Sequence, residues 1–370
     1  IAGLNKKISL SEALGTTSNT LLDQRDLLVS QLSELVDVDV TTQDNGSYTV
    51  SLSNGLALVS GNSSFDLQTA VSASDPTQTV VTYVDAAGHT TTLDDSTFEG
   101  GSIGGLMDFR DTSLTDAQNQ LGILAVSLTQ AFNTLQTSGI DLNGDTGTAL
   151  FSVADPSTYG NTQNTGDATL TATFTDDVSA LAATDYTVKY SDTDGYTVTR
   201  NDTGASVTSA FDSSSATLTF AGMSVAISGT ADSGDSFLVL PTRNAASSFT
   251  TLTTDGSLIA AGTSTGASDN SNALAMLNLQ TDSIVSGSKT LSQTYSTLVS
   301  DVGSTASKIA GQLETQSSLT EQLTTLHQSE SGVNLDEEAA NLIVYQQYYQ
   351  ACAKVVEVGT ALLDTILDIN

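Results

Sequence analysis

The stretch that decides the fold lies at the C-terminal end and reads, from Asn334 to Asn370, NLDEEAANLIVYQQYYQACAKVVEVGTALLDTILDIN. Its apolar residues recur in unbroken 4-3 steps, the spacing typical of a coiled-coil seam. Asn334 is placed to cap a helix, and Glu337 completes an Asn-x-x-Glu capping box. Asp336, Glu337 and Glu338 fall in the first turn, where the helix dipole favours negative charge. The stretch therefore predicts one long helix.

The apolar stripe of this helix is too wide for a helix that lies alone in water. Burying each large apolar side chain contributes about 1.5–3 kcal/mol, so a covering partner is strongly favoured. No other predicted helix of similar length is free to cover it, which favours a neighbouring subunit or a further segment over a core within this chain. The predicted subunit-interface residues are Leu335, Leu342, Ile343, Tyr345, Tyr349, Val356, Leu363, Ile366 and Leu367.

The charge of the chain restricts its partners. It has 42 acidic and 10 basic residues in 370, a formal net charge of −32. Such a surface repels nucleic-acid phosphates and anionic lipid head groups, so we predict neither nucleic acid nor membrane as a partner. No apolar run of about 18 residues is present to span a bilayer. The single cysteine, Cys352, excludes an intrachain disulfide.

Hydrophobic periodicity divides the rest of the chain into helical and β-rich parts. Helices are predicted at about 20–36, where Arg25 fills one step of the apolar face, at about 113–137, and from near Asn272 onward. Between them the period is two, as in strands Thr217–Phe220 and Met223–Ile227 with a hairpin turn at Ala221-Gly222. The predicted fold is α+β and multidomain: a discontinuous antiparallel helical bundle (1–36, 106–140 and 271–326), two inserted β domains (37–105 and 165–245), and a coiled-coil-like C-terminal assembly helix (331–370).

Motifs that could carry chemistry are weak in this sequence. The glycine-rich run Gly100–Gly105 lacks a following lysine, so a tight strand-to-helix turn is favoured over a phosphate-binding loop. Asp141–Gly147 resembles the start of a calcium loop, but the required glycine and final glutamate are replaced, which favours an Asx-turn loop. His89 and His327 lack partners at metal-binding spacing. We predict no catalytic residue, no cofactor and no metal ligand.

Several of these segments resemble a known family. The segment most specific to that family is Leu21–Val29, LLDQRDLLV. Two C-terminal segments, Ser331–Glu338 and Tyr345–Tyr349, occur in looser form in hook and rod proteins of the bacterial flagellum as well. The matching segments are Leu21–Val29, Asn54-Gly55-x-x-Leu58-Val59-x-Gly61, Gly104-Gly105-Leu106-x-x-Phe109-Arg110, Phe132-Asn133, Gly139–Gly144, Ser331–Glu338 and Tyr345–Tyr349. Together they resemble the flagellar hook-associated proteins, which form the junction between hook and filament.

The resemblance implies a structural subunit, outside the cell, that packs around an axis with other copies of itself. It further implies contact with the hook protein and the second junction protein, export through the flagellar type III apparatus, and an export chaperone at the C-terminal helix. Family members carry an additional N-terminal helical region, which would pair with that helix. Two alternatives remain open: a surface adhesin that binds through its β domains, and an enzyme carried on a flagellar scaffold.

Overall fold

The computed structural model describes residues 1–16, 18–266, 268–332 and 334–367, with the side chains of 330, 331 and 362–367 outside that description. The residues group into two units, 1–303 and 304–370. The architecture is α+β, as the sequence predicts. The helices are α1 Ala2–Ala13, α2 Asn19–Leu35, α3 Gly101–Asp108, α4 Thr115–Ser138, α5 Ala245–Ser248, α6 Ser271–Asn278, α7 Leu291–Ser331 and α8 Leu335–Leu367.

Two groups of antiparallel strands lie between the helices. In the first group the sheet orders are β1-β2-β3-β4 and β5-β6-β7; in the second they are β13-β12-β11-β17-β9 and β10-β16-β15-β14, with β8 paired to β18. The strands are β1 Val38–Thr42, β2 Tyr48–Leu52, β3 Ala57–Ser60, β4 Ser63–Ser64, β5 Asp66–Val71, β6 Thr79–Val84, β7 Thr90–Thr92, β8 Phe151–Ser152, β9 Ser157–Gly160, β10 Thr169–Phe174, β11 Tyr186–Ser191, β12 Gly195–Arg200, β13 Ser206–Val207, β14 Ser209–Asp212, β15 Thr217–Phe220, β16 Met223–Ser228, β17 Ser236–Leu240 and β18 Thr250–Thr251.

The first β region, which we define as strands β1–β7, has its own small apolar core. Leu52, Leu58 and Tyr83 are buried there together with Val36 from the end of α2. Leu32 of α2 and two apolar residues of α3 pack against the same core. Helices α2 and α3 therefore both pack on the first β region, although its seven strands lie between them in the sequence.

The β sandwich, which we define as the two sheets formed by β9–β17, encloses the larger core. Val188 and Phe237 of one sheet and Met223 and Val225 of the other are all buried in it. Helix α4 adds Ile123 and Val126 to this core. Helix α4 thus belongs, through its buried face, to the sandwich.

The tight turn predicted over the glycine run is confined to its first two residues: Gly100 is extended and Gly101 has a φ of +71° at the start of α3. The element before it is a 3-10 turn, Asp95–Thr97, and not the predicted strand. Gly101, Gly104 and Gly105 lie within α3, which a single π-helical segment, Phe109–Leu114, joins to α4. A Cβ on Gly104 would lie 2.2 Å from the backbone oxygen of Phe98, so glycine permits close packing at this position. The run therefore serves both the turn into α3 and the close packing of that helix.

The helix predicted from near Asn272 is also divided. Helix α6 ends at Asn278 and α7 begins only at Leu291. Between them Val285 is buried in the sandwich core and pairs with Lys289 in an isolated β-bridge. Ile284 also packs against this core, and the positive φ angles of Ser286 (+49°) and Gly287 (+62°) take the backbone out of helical geometry. Helix α1 packs on α2, and α4 contacts α5 and α6, while a single antiparallel bundle of all three helical segments stays a prediction.

Candidate assembly surface

Helix α8 begins with the cap that the sequence predicts. The Oδ1 atom of Asn334 accepts a hydrogen bond from the backbone N–H of Asp336 at 3.1 Å, and its backbone oxygen accepts from Glu338 at 3.0 Å. Three acidic residues occupy the first turn. The Asn334 side chain satisfies a backbone N–H that has no partner within the helix, and the acidic side chains interact favourably with the positive end of the helix dipole. The reciprocal bond from Glu337 stays a prediction.

The predicted interface residues form an exposed stripe on α8. Leu335, Leu342, Tyr349 and Val356 follow at seven-residue steps, and the side chains of Leu342 and Tyr349 are 59% and 78% exposed. Ile343 and Tyr345 flank this stripe and are exposed as well. The side chains of Leu363, Ile366 and Leu367 lie outside the described part of the chain.

Sequence reasoning missed two apolar residues on other sides of α8. Val344 and Tyr348 are exposed like the predicted stripe. The signal that could have found them is the charge pattern, because residues 339–353 contain no charged side chain. A helix that is apolar on several sides is normally covered by protein or lipid. None of the helices in the described ranges has the combined length and apolarity needed to cross a membrane.

A second exposed apolar surface lies within residues 1–303. A groove of about 590 Å³ opens between α4, α6 and the first turn of α7. Leu121 of α4 is 47% exposed, and Leu277 of α6 and Tyr295 of α7 are exposed as well. The groove is lined by Leu128, Phe132, Ala273, Met276, Leu277, Leu279, Gln280, Leu291 and Ser292. It collects residues from two of the segments for which the sequence predicts helix packing.

The family-specific stretch on α2 has a structural role at Arg25. This side chain is only 2% exposed, and its guanidinium carbon lies 3.3 Å from the ring centroid of Tyr48. Nη1 donates to the backbone oxygen of Gly46 at 2.6 Å and to Oδ1 of Asn5 at 3.2 Å. The amide of Asn5 in turn donates to the backbone oxygens of Tyr48 and Gly61. Arg25 therefore fastens α1 and α2 to the first sheet.

The loop at Asp141 closes on itself. Oδ1 of Asp141 accepts from the backbone N–H groups of Asn143 at 2.8 Å and Asp145 at 2.9 Å. The backbone N–H of Asp145, followed by the Asn143 side chain, lowers the pKa of Asp141. This is the Asx-turn arrangement that the sequence favours over a calcium loop. Across the described ranges, no three His, Cys, Asp or Glu residues come together as a metal site.

The β sandwich carries one aromatic cluster that bears on the adhesin alternative. The ring of Tyr196 lies 4.8 Å from that of Tyr190 and 5.1 Å from that of Phe211, measured between centroids. Both tyrosines also pack against the sandwich core. The rings therefore mainly cover one another, and the adhesin stays an alternative prediction.

Comparisons with known families agree with this arrangement. Residues 1–151 match the model described as flagellar hook-associated protein FlgK helical domain, and residues 159–241 match the D2-like domain of flagellar hook-associated protein 1. Residues 327–369 match the C-terminal region of flagellar basal body rod FlgEFG proteins. The last match confirms that the C-terminal signature is shared with rod proteins.

Individual relatives point the same way. The chain is 38% identical to flagellar hook-associated protein 1 of Escherichia coli (strain K12) over 375 residues, covering 100% of this chain and 68% of the relative. It is equally identical to the Salmonella typhimurium protein over 380 residues, with the same coverage. The solved flagellar hook junction protein FlgK from Burkholderia pseudomallei matches with a TM-score of 0.79 at 30% identity, covering 90% of this chain and 81% of that one. The chain therefore belongs to the flagellar hook-associated protein 1 family.

Proposed function

We propose that this chain joins hook to filament by packing α8 against the equivalent helices of neighbouring copies arranged around an axis. The supporting observation is the surface of α8, where Leu342, Tyr345 and Tyr349 stay exposed on a helix without charge from 339 to 353. Apolar residues at 4-3 spacing pack as knobs into the holes of facing helices. A helix that is apolar on several sides needs more than one neighbour, as a closed ring of subunits supplies.

The family is a structural one, so the chain is a component of the bacterial flagellum and not an enzyme. Its finer partners belong to the proposal. The hook protein and the second junction protein would contact it at the two ends of its ring. Export would proceed through the flagellar type III apparatus to a position outside the cell. An export chaperone would cover α8 until assembly, because an exposed apolar helix aggregates in water.

The proposal is tested by placing a charge in the predicted seam. Leu342→Asp combined with Tyr349→Asp puts two carboxylates where helices would meet, and a buried unpaired charge is strongly unfavourable. Removal of residues 331–370 is the complete version of the same test. The control is Ala87→Asp, which adds charge to an exposed turn of the first β region.

Each variant replaces the native chain in a motile strain, and junctions are scored by labelling the protein at hook tips. We expect the seam variant and the truncated chain to be missing from hook tips, with circular dichroism showing that their β strands are folded. The Ala87→Asp chain should be present. Normal incorporation of the truncated chain would refute the proposal.

A further inference from the structure

A buried polar cluster links the two β regions of the molecule. The guanidinium of Arg243, which follows β17, is shared between two carboxylates: Nη1 donates to Oδ2 of Asp75 at 2.7 Å, and Nη2 donates to Oδ2 of Asp185. Asp75 lies in the loop between β5 and β6, whereas Asp185 directly precedes β11. Both carboxylates are at least nine-tenths buried. One side chain thus spans the first β region and the β sandwich.

The arginine end of this link is held rigidly on α4. The neighbouring Thr242 is fully buried, and its hydroxyl donates to Oδ1 of Asn119 at 2.7 Å. A Cβ on Gly122 would lie 1.7 Å from the backbone oxygen of Thr242, so α4 approaches this segment as closely as glycine allows. The backbone that carries Arg243 is therefore fixed relative to the sandwich.

The aspartate end is equally well ordered. Oδ1 of Asp75 accepts from the backbone N–H of Thr77 at 3.0 Å, and the loop is closed by a backbone bond from Ser72 to Gln78 at 2.9 Å. This leaves Oδ2 of Asp75 for the guanidinium. Each carboxylate oxygen of Asp75 has a separate task, one within its own loop and one across the joint.

Apart from this cluster the joint consists of one helical path and a few polar contacts. Helix α3, packed on the first β region, continues through Phe109–Leu114 into α4, and Arg110 on this path donates to the backbone oxygen of Thr79 at 2.9 Å and to Oδ2 of Asp95 at 2.7 Å. The backbone N–H of Thr162 donates to the oxygen of Ala73 at 2.9 Å, and a cleft of about 200 Å³ lies beside Arg243 between the two regions. The two apolar cores formed by the described residues have no residue in common. Interfaces without a shared apolar core permit relative domain motion unless polar contacts prevent it.

We propose that the cluster formed by Asp75, Asn119, Asp185, Thr242 and Arg243 is a lock that fixes the angle between the first β region and the β sandwich, so that its release turns the joint into a hinge. The planar guanidinium suits this task because its fork reaches two carboxylates at once. Burial raises the pKa of Asp185, and the charge of Arg243 opposes that shift. Among the contacts described, Arg243 is the only positive charge paired with either carboxylate.

The lock is tested with Asp75→Asn, which keeps an oxygen for the Thr77 bond and removes the charge that faces Arg243. Spin labels at Ala86→Cys and Ser213→Cys, both in exposed turns, report the angle as a distance distribution, in a Cys352→Ser background. Arg243→Lys is the second variant, because one ammonium group cannot span two carboxylates in the same way. The control is Asp202→Asn, which breaks the Arg200 pair inside the sandwich.

We expect one narrow distance distribution for the parent chain and for Asp202→Asn. Asp75→Asn and Arg243→Lys should widen it by about two-fold, as a freed hinge does. Hydrogen exchange of strands β6 and β16 confirms that both regions remain folded in each variant. An unchanged, narrow distribution in folded Asp75→Asn would overturn the lock, as would equal widening in Asp202→Asn.

Discussion

Helices α4 and α8 carry the same 4-3 apolar pattern, in α4 through Leu121, Leu128, Phe132 and Leu135, but use it differently. In α4 the buried face is largely small and polar, and the seam residue Leu121 stays 47% exposed. The buried face of α4 consists of Asn119, Gly122, Ile123, Val126, Ser127, Thr129 and Gln136. In α8 the apolar seam side chains that the structure describes are all exposed. A regular apolar seam therefore marks a face that needs a partner, and it does not identify the face that packs within its own chain.

The difference has a physical origin in what each helix meets inside the chain. Helix α4 lies against the sandwich and against the segment between β18 and α6, which we call the arm. The side-chain amide of Gln136 on α4 donates to the backbone oxygen of Leu258 in the arm at 2.6 Å and accepts from the backbone N–H of Ala260 at 3.1 Å. Backbone groups in an irregular arm need side-chain partners, which polar residues supply. The apolar seam of α4 therefore faces away from these contacts, and its residues Leu128 and Phe132 line the groove beside α6.

The largest expected effect separates the two helices by stability. Ile123→Ala should lower the free energy of unfolding by about 2–5 kcal/mol, because it leaves a cavity in the sandwich core. Leu342→Ala, the matched truncation on α8, should change it by at most about 0.5 kcal/mol, as for an exposed position. Urea unfolding of both variants, followed by circular dichroism, measures the contrast. Equal losses would show that α8 is packed within the monomer and would break the comparison.

A second, smaller effect is expected at Arg25, where a helix is again fastened by a polar side chain. Arg25→Met keeps much of the side-chain volume but removes the bonds to Gly46 and Asn5 and the contact over the Tyr48 ring. We expect a loss of about 2–4 kcal/mol in the free energy of unfolding. Arg200→Met, which removes a partly exposed pair with Asp202, is the control and should cost about 1 kcal/mol or less. A similar cost for both would mean that burial of Arg25 adds nothing.

Local patterns explain how much of the fold could be predicted. Strands Thr217–Phe220 and Met223–Ser228 follow their alternating residues, and Phe220 pairs with Met223 across Ala221-Gly222, whose φ angles are +46° and +75°. Such hairpins are encoded by neighbouring residues, since the turn requires positive φ. The cap at Asn334 is local in the same sense. These features need no information from distant parts of the chain.

The features that could not be predicted depend on contacts between distant residues. Gln136 binds an arm more than 120 positions away, and Arg25 fills a step of an apolar stripe for which the sequence shows no partner. The break between α6 and α7 accompanies the packing of Ile284 and Val285 on the sandwich core and the positive φ angles of Ser286 and Gly287. For the candidate site, the pattern predicted the stripe on α8, whereas the residues that cover it in an assembly belong to other molecules and stay a prediction.

A third test concerns how α8 is held. The side chains of residues 335–338 are exposed, so the first turn of α8 relies on the Asn334 cap, whereas α4 continues from the π-helical segment before it. Asn334→Ala should cost about 1 kcal/mol locally, which corresponds to roughly five-fold faster opening of the first turn. Asn334→Ser, which retains a capping oxygen, should behave like the parent chain. Hydrogen exchange at the amide of Asp336 measures the change, and identical rates for Ala and Ser would contradict the role of the cap.

The smallest effect expected is a pH dependence of stability at Asp269, just before α6. Asp269, before α6, accepts from the Ser271 hydroxyl at 2.6 Å and from the Ser264 and Thr263 N–H groups at 2.9 Å each. These bonds, led by that of Ser271, lower its pKa below the ordinary 3.8. A carboxylate whose pKa is lower in the folded than in the unfolded chain stabilises the fold at pH values above its unfolded-state pKa. This stabilisation is lost as the pH falls through the folded-state pKa. The unfolding free energies of the parent chain and Asp269→Asn should therefore differ by a constant amount above about pH 5 and converge below about pH 4. Ser271→Ala should reduce that difference, because it removes the strongest donor. A difference that does not change with pH would mean that the carboxylate charge has no part in holding the arm at the start of α6.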